Sequence, residues 1–187
     1  MNESNLKNLL NQIKKNTKYA LKASQMGLWE EAEQINRMMI QEVECDYRAY
    51  GRLADALMKL GKTSEAADYY DIVTDLDKAK KDMTKKSIKL ATESNWDAAA
   101  AINQEIIKDF PWDLEAYNRL GKAYMEIGDK NKATNAFKCA LVVSENSVIA
   151  KKNLARLDKT NNDPNKRSAN SNTSNKNYIE ESAKTVI

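Results

Sequence analysis

The clearest pattern in the sequence lies between Asp113 and Val143, where apolar and small residues recur every three or four positions on both sides of a glycine, Gly128. This is the period of an amphipathic helix and not that of a strand. The residues are Tyr117, Leu120, Gly121 and Tyr124 before the glycine, then Ala133, Phe137, Ala140 and Leu141 after it. A glycine there ends a helix in the left-handed conformation, and the aspartate after it caps the next helix. The segment predicts a helical hairpin.

The same pattern occurs earlier in the chain at a constant distance. A shift of 67 positions places the following residues onto one another: Trp29 and Trp96, Ala32 and Ala99, Ile35 and Ile102, Asn36 and Asn103, Tyr50 and Tyr117, Arg52 and Arg119, Leu53 and Leu120, Gly61 and Gly128, Ala66 and Ala133, and Tyr70 and Phe137. So many matches at one shift indicate an internal duplication. Because each copy holds two hairpins, the basic unit is about 34 residues long.

These units resemble the tetratricopeptide repeat family. The family pattern of aromatic, Leu-Gly, aromatic, turn glycine, Ala, aromatic and Ala is matched by Tyr117, Leu120, Gly121, Tyr124, Gly128, Ala133, Phe137 and Ala140. The resemblance implies an all-α fold, an α-solenoid of about four helical hairpins at about 13–46, 47–79, 80–113 and 114–147. The first and third units match less well, since Asn36 and Asn103 stand at an aromatic position.

The segments that flank the four units have patterns of their own. Residues 6–21 carry one uninterrupted helical stripe, which predicts a long first helix that covers the open end of the stack. Residues 148–159 predict a C-terminal capping helix, so that the repeat domain spans 5–159. Residues 160–187 are rich in Asn and Ser and are predicted to be disordered, because they have too few apolar residues to form a core. Within them, 178–187 regain apolar character and are either a docking element or the start of a further domain.

Composition indicates where in the cell we expect the protein. The chain has 187 residues, of which 42% are hydrophobic and 30% charged, and no apolar run approaches the length of a bilayer span. The N-terminal residues lack the apolar segment of a signal peptide. We therefore expect a cytoplasmic protein that does not enter a membrane, with Cys45 and Cys139 as free thiols.

The sequence does not contain the usual components of a catalytic site. There is no histidine, which excludes His-dependent triads and histidine metal sites. The five glycines are all explained by turns or helix packing, so none is left for a phosphate-binding loop. The aspartates at 68, 71, 75 and 77 have helical spacing and lack the glycine of a calcium loop. We expect no enzyme activity, no metal and no cofactor.

Charge points to a binding surface. In the resembled family, the first helix of each unit lines the concave face, and its sixth position here is basic in all four units. At the inner positions we count nine basic and three acidic residues, an excess of six, whereas the whole chain carries only +3. A concave cationic surface attracts acidic partners. The predicted groove residues are Lys14, Lys18, Arg48, Gly51, Arg52, Lys81, Lys85, Asn118, Arg119 and Lys122.

Two functions fit such a groove. The first is a non-catalytic scaffold or adaptor that binds an acidic or extended peptide segment of a protein partner. The alternative is nucleic-acid or polyanion binding by the same groove, which is disfavoured because no inner aromatic residues alternate with the cations to stack on bases. Trp112 falls in a connecting turn, and the pattern assigns it no role.

Overall fold

A computed structural model of the chain describes residues 2–161, which form eight α-helices and no strand. They are α1 (Glu3–Gln25), α2 (Trp29–Glu42), α3 (Tyr47–Lys59), α4 (Thr63–Thr92), α5 (Trp96–Asp109), α6 (Leu114–Ile127), α7 (Lys130–Val143) and α8 (Val148–Asn161). Each helix packs against the next one along the chain, so the predicted all-α solenoid is confirmed. Of the predicted tail, residues 162–187, including the segment 178–187, lie outside the described part.

The hairpin turns are built from the residues that the sequence pattern indicated. Gly61 and Gly128 have positive φ angles of 76° and 90°, a region that side chains rarely enter. After the second of these turns, the Asp129 carboxylate accepts a hydrogen bond from the Lys132 backbone N–H at 2.9 Å and caps α7. Asp113 caps α6 in the same way. Local turn chemistry therefore fixes where most of the helices begin and end.

The predicted boundary between the second and third units, at 79/80, is not a turn. Helix α4 runs without interruption for 30 residues and serves both as the second helix of one hairpin and as the first helix of the next. No glycine or proline occurs between 63 and 92, and Lys81 pairs with Asp77 one turn earlier at 2.5 Å. With good helix formers and no breaker at the junction, the helix continues.

Helix α1 is long, as the apolar stripe predicts, but it does more than extend the first hairpin. Its C-terminal part packs on α2, while its N-terminal part also packs on α7 of the fourth hairpin. Leu6 is fully buried in the same apolar cluster as Cys139 and Phe137 of α7. The first and last hairpins are therefore in contact through α1.

The two copies of the duplication pack one position differently. In the second copy, the ring of Phe137 lies directly against Gly121 and is fully buried. In the first copy the corresponding residues are Ala54 and Tyr70, and the tyrosine is 39% exposed and donates a hydrogen bond to Asp55 at 2.6 Å. Gly121 thus leaves room for the Phe137 ring between two helices. In the first copy, Ala54 takes up this room and the Tyr70 ring lies partly in solvent.

Within residues 2–161, no helix combines the length and the apolar character that crossing a bilayer requires.

Candidate functional site

An asparagine–arginine pair occurs at the same place in both copies of the duplication. Arg52 Nε donates to Asn36 Oδ1 at 3.0 Å, and Arg119 Nε donates to Asn103 Oδ1 at 2.9 Å. Both asparagines are buried, and each also donates to the carbonyl oxygen four residues earlier at 2.8 Å. Burial lowers the pKa of both arginines. At the position where the sequence pattern led us to expect an aromatic residue, each copy thus has an asparagine that binds an arginine of the next helix.

This pairing changes the interpretation of two predicted groove cations. Arg52 is half-buried, and its Nη2 also approaches the sulfur of Met39 at 3.7 Å. Its guanidinium therefore joins α3 to α2. Arg119 joins α6 to α5 through its Nε, but its Nη2 is buried and has no hydrogen-bond partner within residues 2–161. The sequence already held the signal for these pairs, since both partners repeat at the shift of 67.

Four of the predicted groove residues line one cleft. We call it the basic cleft, a hollow of about 710 Å³ between the start of α3, the middle of α4 and the start of α6. The predicted residues in it are Arg48, Lys81, Lys85 and Arg119. The others that line it are Tyr47, Asp77, Lys80, Thr84, Trp112, Asp113, Leu114 and Glu115. The cleft lining thus carries five cationic side chains and three carboxylates.

Carboxylates offset part of this positive charge. Lys80 pairs with Asp113 at 3.0 Å, and Lys81 pairs with Asp77 at 2.5 Å. The Lys81 and Lys85 side chains are nonetheless 66% and 79% exposed. Lys85 lies 3.6 Å from its partner Asp82. Exposed ion pairs contribute little free energy, so Lys81 and Lys85 can leave these carboxylates at low cost. They are the cations of the cleft that are most available to a ligand.

Trp112 has a role that the sequence did not indicate. The guanidinium of Arg48 lies 3.6 Å from the centre of the Trp112 ring, in a cation–π contact. The ring also packs edge-on against Tyr47 at 6.4 Å and Phe110 at 6.2 Å between centroids. Arg48 is held on its other side by Asp46, at 3.0 Å. Trp112 therefore forms an aromatic wall of the basic cleft and fixes one of its cations.

The remaining predicted residues are placed elsewhere. Lys14 lines another hollow of about 740 Å³ between α1 and the end of α7, which shares Trp112 with the basic cleft. Lys122 lines a smaller hollow of about 370 Å³, which shares Arg119 with the basic cleft. Lys18 is exposed on α1. Neither it nor Gly51, Arg52 or Asn118 is among the residues that line the basic cleft.

Asn118 was predicted to face a ligand, but its side chain is buried. It is 5% exposed, and its Oδ1 accepts a hydrogen bond from Ser147 Oγ at 3.5 Å. Ser147 lies in the turn before α8, and its Oγ also accepts from the Ala150 backbone N–H. Asn118 therefore connects α6 to the capping helix. The reason is its direction on α6, which points to the helix packing and not to the cleft.

The described part of the chain was also searched for metal-binding groups and reactive thiols. Residues 2–161 contain no group of three or more cysteine, aspartate or glutamate side chains that could hold a metal ion. The thiols of Cys45 and Cys139 are both free. Burial raises the pKa of both thiols, and Cys139 is only 2% exposed.

Comparison with known proteins identifies the repeats. A family model described as tetratricopeptide repeat matches residues 47–93 and 114–143. No curated protein matches the chain.

Several solved structures have a similar arrangement of helices. MamA (41 to the end) of Desulfovibrio magneticus RS-1 is 19% identical, with 92% of this chain and 97% of that one covered and a TM-score of 0.43. The TPR2AB domain of yeast Sti1, in its pHSP90 complex, is 20% identical, with 75% and 68% covered and a TM-score of 0.42. YrrB, described as a TPR protein with an unusual peptide-binding site, is 16% identical, with 71% and 69% covered and a TM-score of 0.39.

The two matched segments coincide with α3 and α4 and with α6 and α7, the hairpins that turn at Gly61 and Gly128. These two hairpins of the chain are therefore tetratricopeptide repeats.

Proposed function

We propose that this chain is a non-catalytic interaction scaffold or adaptor whose basic cleft binds an acidic, extended peptide segment of a partner protein. Tetratricopeptide repeats are a protein-interaction fold. The single observation that carries the proposal is that Arg48, Lys81, Lys85 and Arg119, from three different helices, line one cleft.

The chemistry of the cleft fits a peptide with carboxylates. The exposed ammonium groups of Lys81 and Lys85 can pair with acidic side chains, and charge-assisted hydrogen bonds are stronger than neutral ones. The buried Nη2 of Arg119 lacks an acceptor, which a peptide carbonyl or carboxylate would supply. Trp112 and Leu114 add apolar surface beside these cations. An extended peptide offers acceptors and carboxylates at the same time.

Reversing the charge of the two exposed lysines tests the proposal. We expect Lys81→Glu with Lys85→Glu to weaken binding of a labelled acidic dodecapeptide of alternating Glu and Leu by at least about tenfold, since like charges then oppose it. A matched control reverses Lys151 and Lys159, which are exposed on α8, and is expected to change the affinity little. The measurement is fluorescence anisotropy on the full chain, with circular dichroism to confirm the fold. Equal losses in both double variants would contradict the proposal.

The structure gives a reason to rank nucleic acid second. A single-stranded oligonucleotide gains much of its affinity from bases that stack on aromatic faces. In the basic cleft, the Trp112 face is covered by the Arg48 guanidinium at 3.6 Å. A titration with oligo-dT of matched charge makes this comparison directly. Tighter binding of the oligonucleotide than of the peptide, with a steep loss in salt, would favour the alternative.

A further inference from the structure

A second cleft lies away from the basic cleft, between α5, α6 and α7. We call it the α5–α7 cleft; it has a volume of about 590 Å³. No carboxylate lines it, and its rim carries two lysines, Lys108 and Lys132. The other lining residues are Gln104, Ile107, Tyr117, Leu120, Tyr124, Asn131, Asn135, Ala136 and Cys139. Its chemistry is an apolar floor with amide, phenol and ammonium groups around it.

The duplication shows what fills the same space in the first copy. There, the position of Ala136 is occupied by Tyr69. The Tyr69 ring packs against Tyr50 at 5.9 Å between centroids, and Tyr50 corresponds to Tyr117. In the second copy, an alanine at 136 leaves the tyrosine at 117 without this aromatic neighbour. The α5–α7 cleft is the space that an aromatic side chain fills in the other half of the protein.

The charges around this space also differ between the copies. In the first copy, Arg37 donates to the Tyr69 hydroxyl at 2.8 Å and pairs with Glu65 at 2.5 Å. At the corresponding positions the second copy has Gln104 for the arginine and Lys132 for the glutamate. The first copy thus fills this space with an aromatic ring beside a carboxylate, whereas the second copy has alanine and lysine at these two positions. Lys132 pairs with Asp129 at 3.0 Å, but its side chain is 64% exposed, so this ion pair is weak and its ammonium group can also meet a further carboxylate.

The phenols of the α5–α7 cleft have hydrogens to donate. Tyr117 is only 3% exposed, and its hydroxyl has no hydrogen-bond partner within residues 2–161. The Tyr124 hydroxyl accepts from Gln104 Nε2 at 3.0 Å, so its own hydrogen is left for another acceptor. A buried donor without an acceptor is costly, so a ligand that brings acceptors is favoured. The first copy suggests an aromatic ring for this space, the rim lysines favour carboxylates, and the phenols need acceptors. A ligand that combines an aromatic side chain with nearby carboxylates meets all three requirements.

We infer that the occupant is a segment of this same chain, Tyr178–Glu181, whose aromatic ring enters the α5–α7 cleft while its two glutamates meet Lys108 and Lys132. Tyr178 is the single aromatic residue in positions 162–187, and Glu180 and Glu181 follow it closely. The charges of the segment and of the cleft rim are opposite.

The length of the connecting chain allows this contact. Helix α8 packs on α7, which forms one side of the cleft, and ends at Asn161. The 16 residues between Asn161 and Tyr178 span up to roughly 55–60 Å when extended. A domain of this size has a radius of gyration of about 15 Å. The segment can therefore reach the cleft without strain.

Zero-length carbodiimide coupling of the full chain at low concentration tests the inference, because it joins only lysines and carboxylates that touch. We expect peptide mapping to show Glu180 or Glu181 coupled to Lys108 or Lys132 within one chain. Tyr178→Ala is expected to lower this yield at least about fivefold, while Tyr19→Ala, at an exposed tyrosine on α1, leaves it unchanged.

Two variants of the cleft itself complete the test. Tyr117→Phe removes a hydroxyl that has no hydrogen-bond partner within residues 2–161, so the thermal unfolding midpoint should stay the same or rise. The coupling yield should fall, because the segment loses a hydrogen-bond donor in the cleft. Ala136→Tyr places in the cleft the ring that the first copy has, and should abolish the coupling. The inference is overturned if coupling persists in Tyr178→Ala, if the glutamates couple instead to Lys81 or Lys85, or if all coupling joins two chains.

Discussion

Replacing Gly121 with alanine is expected to lower the free energy of unfolding by about 2 kcal/mol, because the added methyl group overlaps a buried ring. A Cβ atom at this position would lie 2.6–2.8 Å from three ring atoms of Phe137. The ring is fully buried between α6 and α7 and cannot turn away without leaving a cavity. The gain in helix propensity, about 1 kcal/mol, offsets only part of this cost. Urea unfolding followed by circular dichroism measures the change.

Gly51 provides the matched control, since it is also a helical glycine. A Cβ atom there would meet only Val73, at 4.0 Å, which is an ordinary contact. Gly51→Ala is therefore expected to stabilise the chain by up to about 1 kcal/mol. If both substitutions shifted stability in the same direction, close packing at Gly121 would not explain its glycine.

Asn103→Ala is expected to cost about 3 kcal/mol of unfolding free energy, since one side chain serves three partners. Asn103 donates to the Ala99 carbonyl at 2.8 Å and to Ser87 Oγ at 2.6 Å, and it accepts from Arg119. Its loss leaves a half-buried guanidinium without its acceptor. Asn153→Ala is the control, because Asn153 makes the same bond to the carbonyl four residues earlier but is more exposed, and it should cost under about 0.5 kcal/mol.

A double-mutant cycle separates the pair from the rest of the site. Combining Asn103→Ala with Arg119→Met should lower the free energy of unfolding by about 1–2 kcal/mol less than the sum of the two single substitutions. The reason is that each single substitution already removes the hydrogen bond between the two side chains. Strict additivity would show that the asparagine and the arginine act independently. The same cycle on Asn36 and Arg52 should give a similar coupling, because the geometry is repeated.

The sequence predicted the helices wherever neighbouring residues determine where a helix begins or ends. The period of apolar positions and the glycines at 61 and 128 predicted the hairpins and their turns. The junction at 79/80 was predicted from repeat length, and the structure replaces it with a continuous helix because no residue there interrupts one. A repeat period sets register, whereas a turn needs residues that stop a helix.

The candidate site was predicted in part. Counting charges at inner positions found Arg48, Lys81, Lys85 and Arg119, which share the basic cleft. The count missed Asp46 and Asp113, which lie in the turns and pair with Arg48 and Lys80. It also treated Arg52 as a free cation, although its partner Asn36 lies on the preceding helix. Pairing between helices depends on packing geometry, which a position count along one helix does not contain.

Mapping an acidic peptide on the full chain by NMR tests the proposed peptide-binding role of the basic cleft most directly. With the dodecapeptide of alternating Glu and Leu, the account predicts the largest amide shift changes at the start of α3, in 77–85 of α4 and at the start of α6, and a change at the Arg48 Nε–H. Changes confined to α1 and α2, or spread evenly over exposed lysines on every helix, would contradict it.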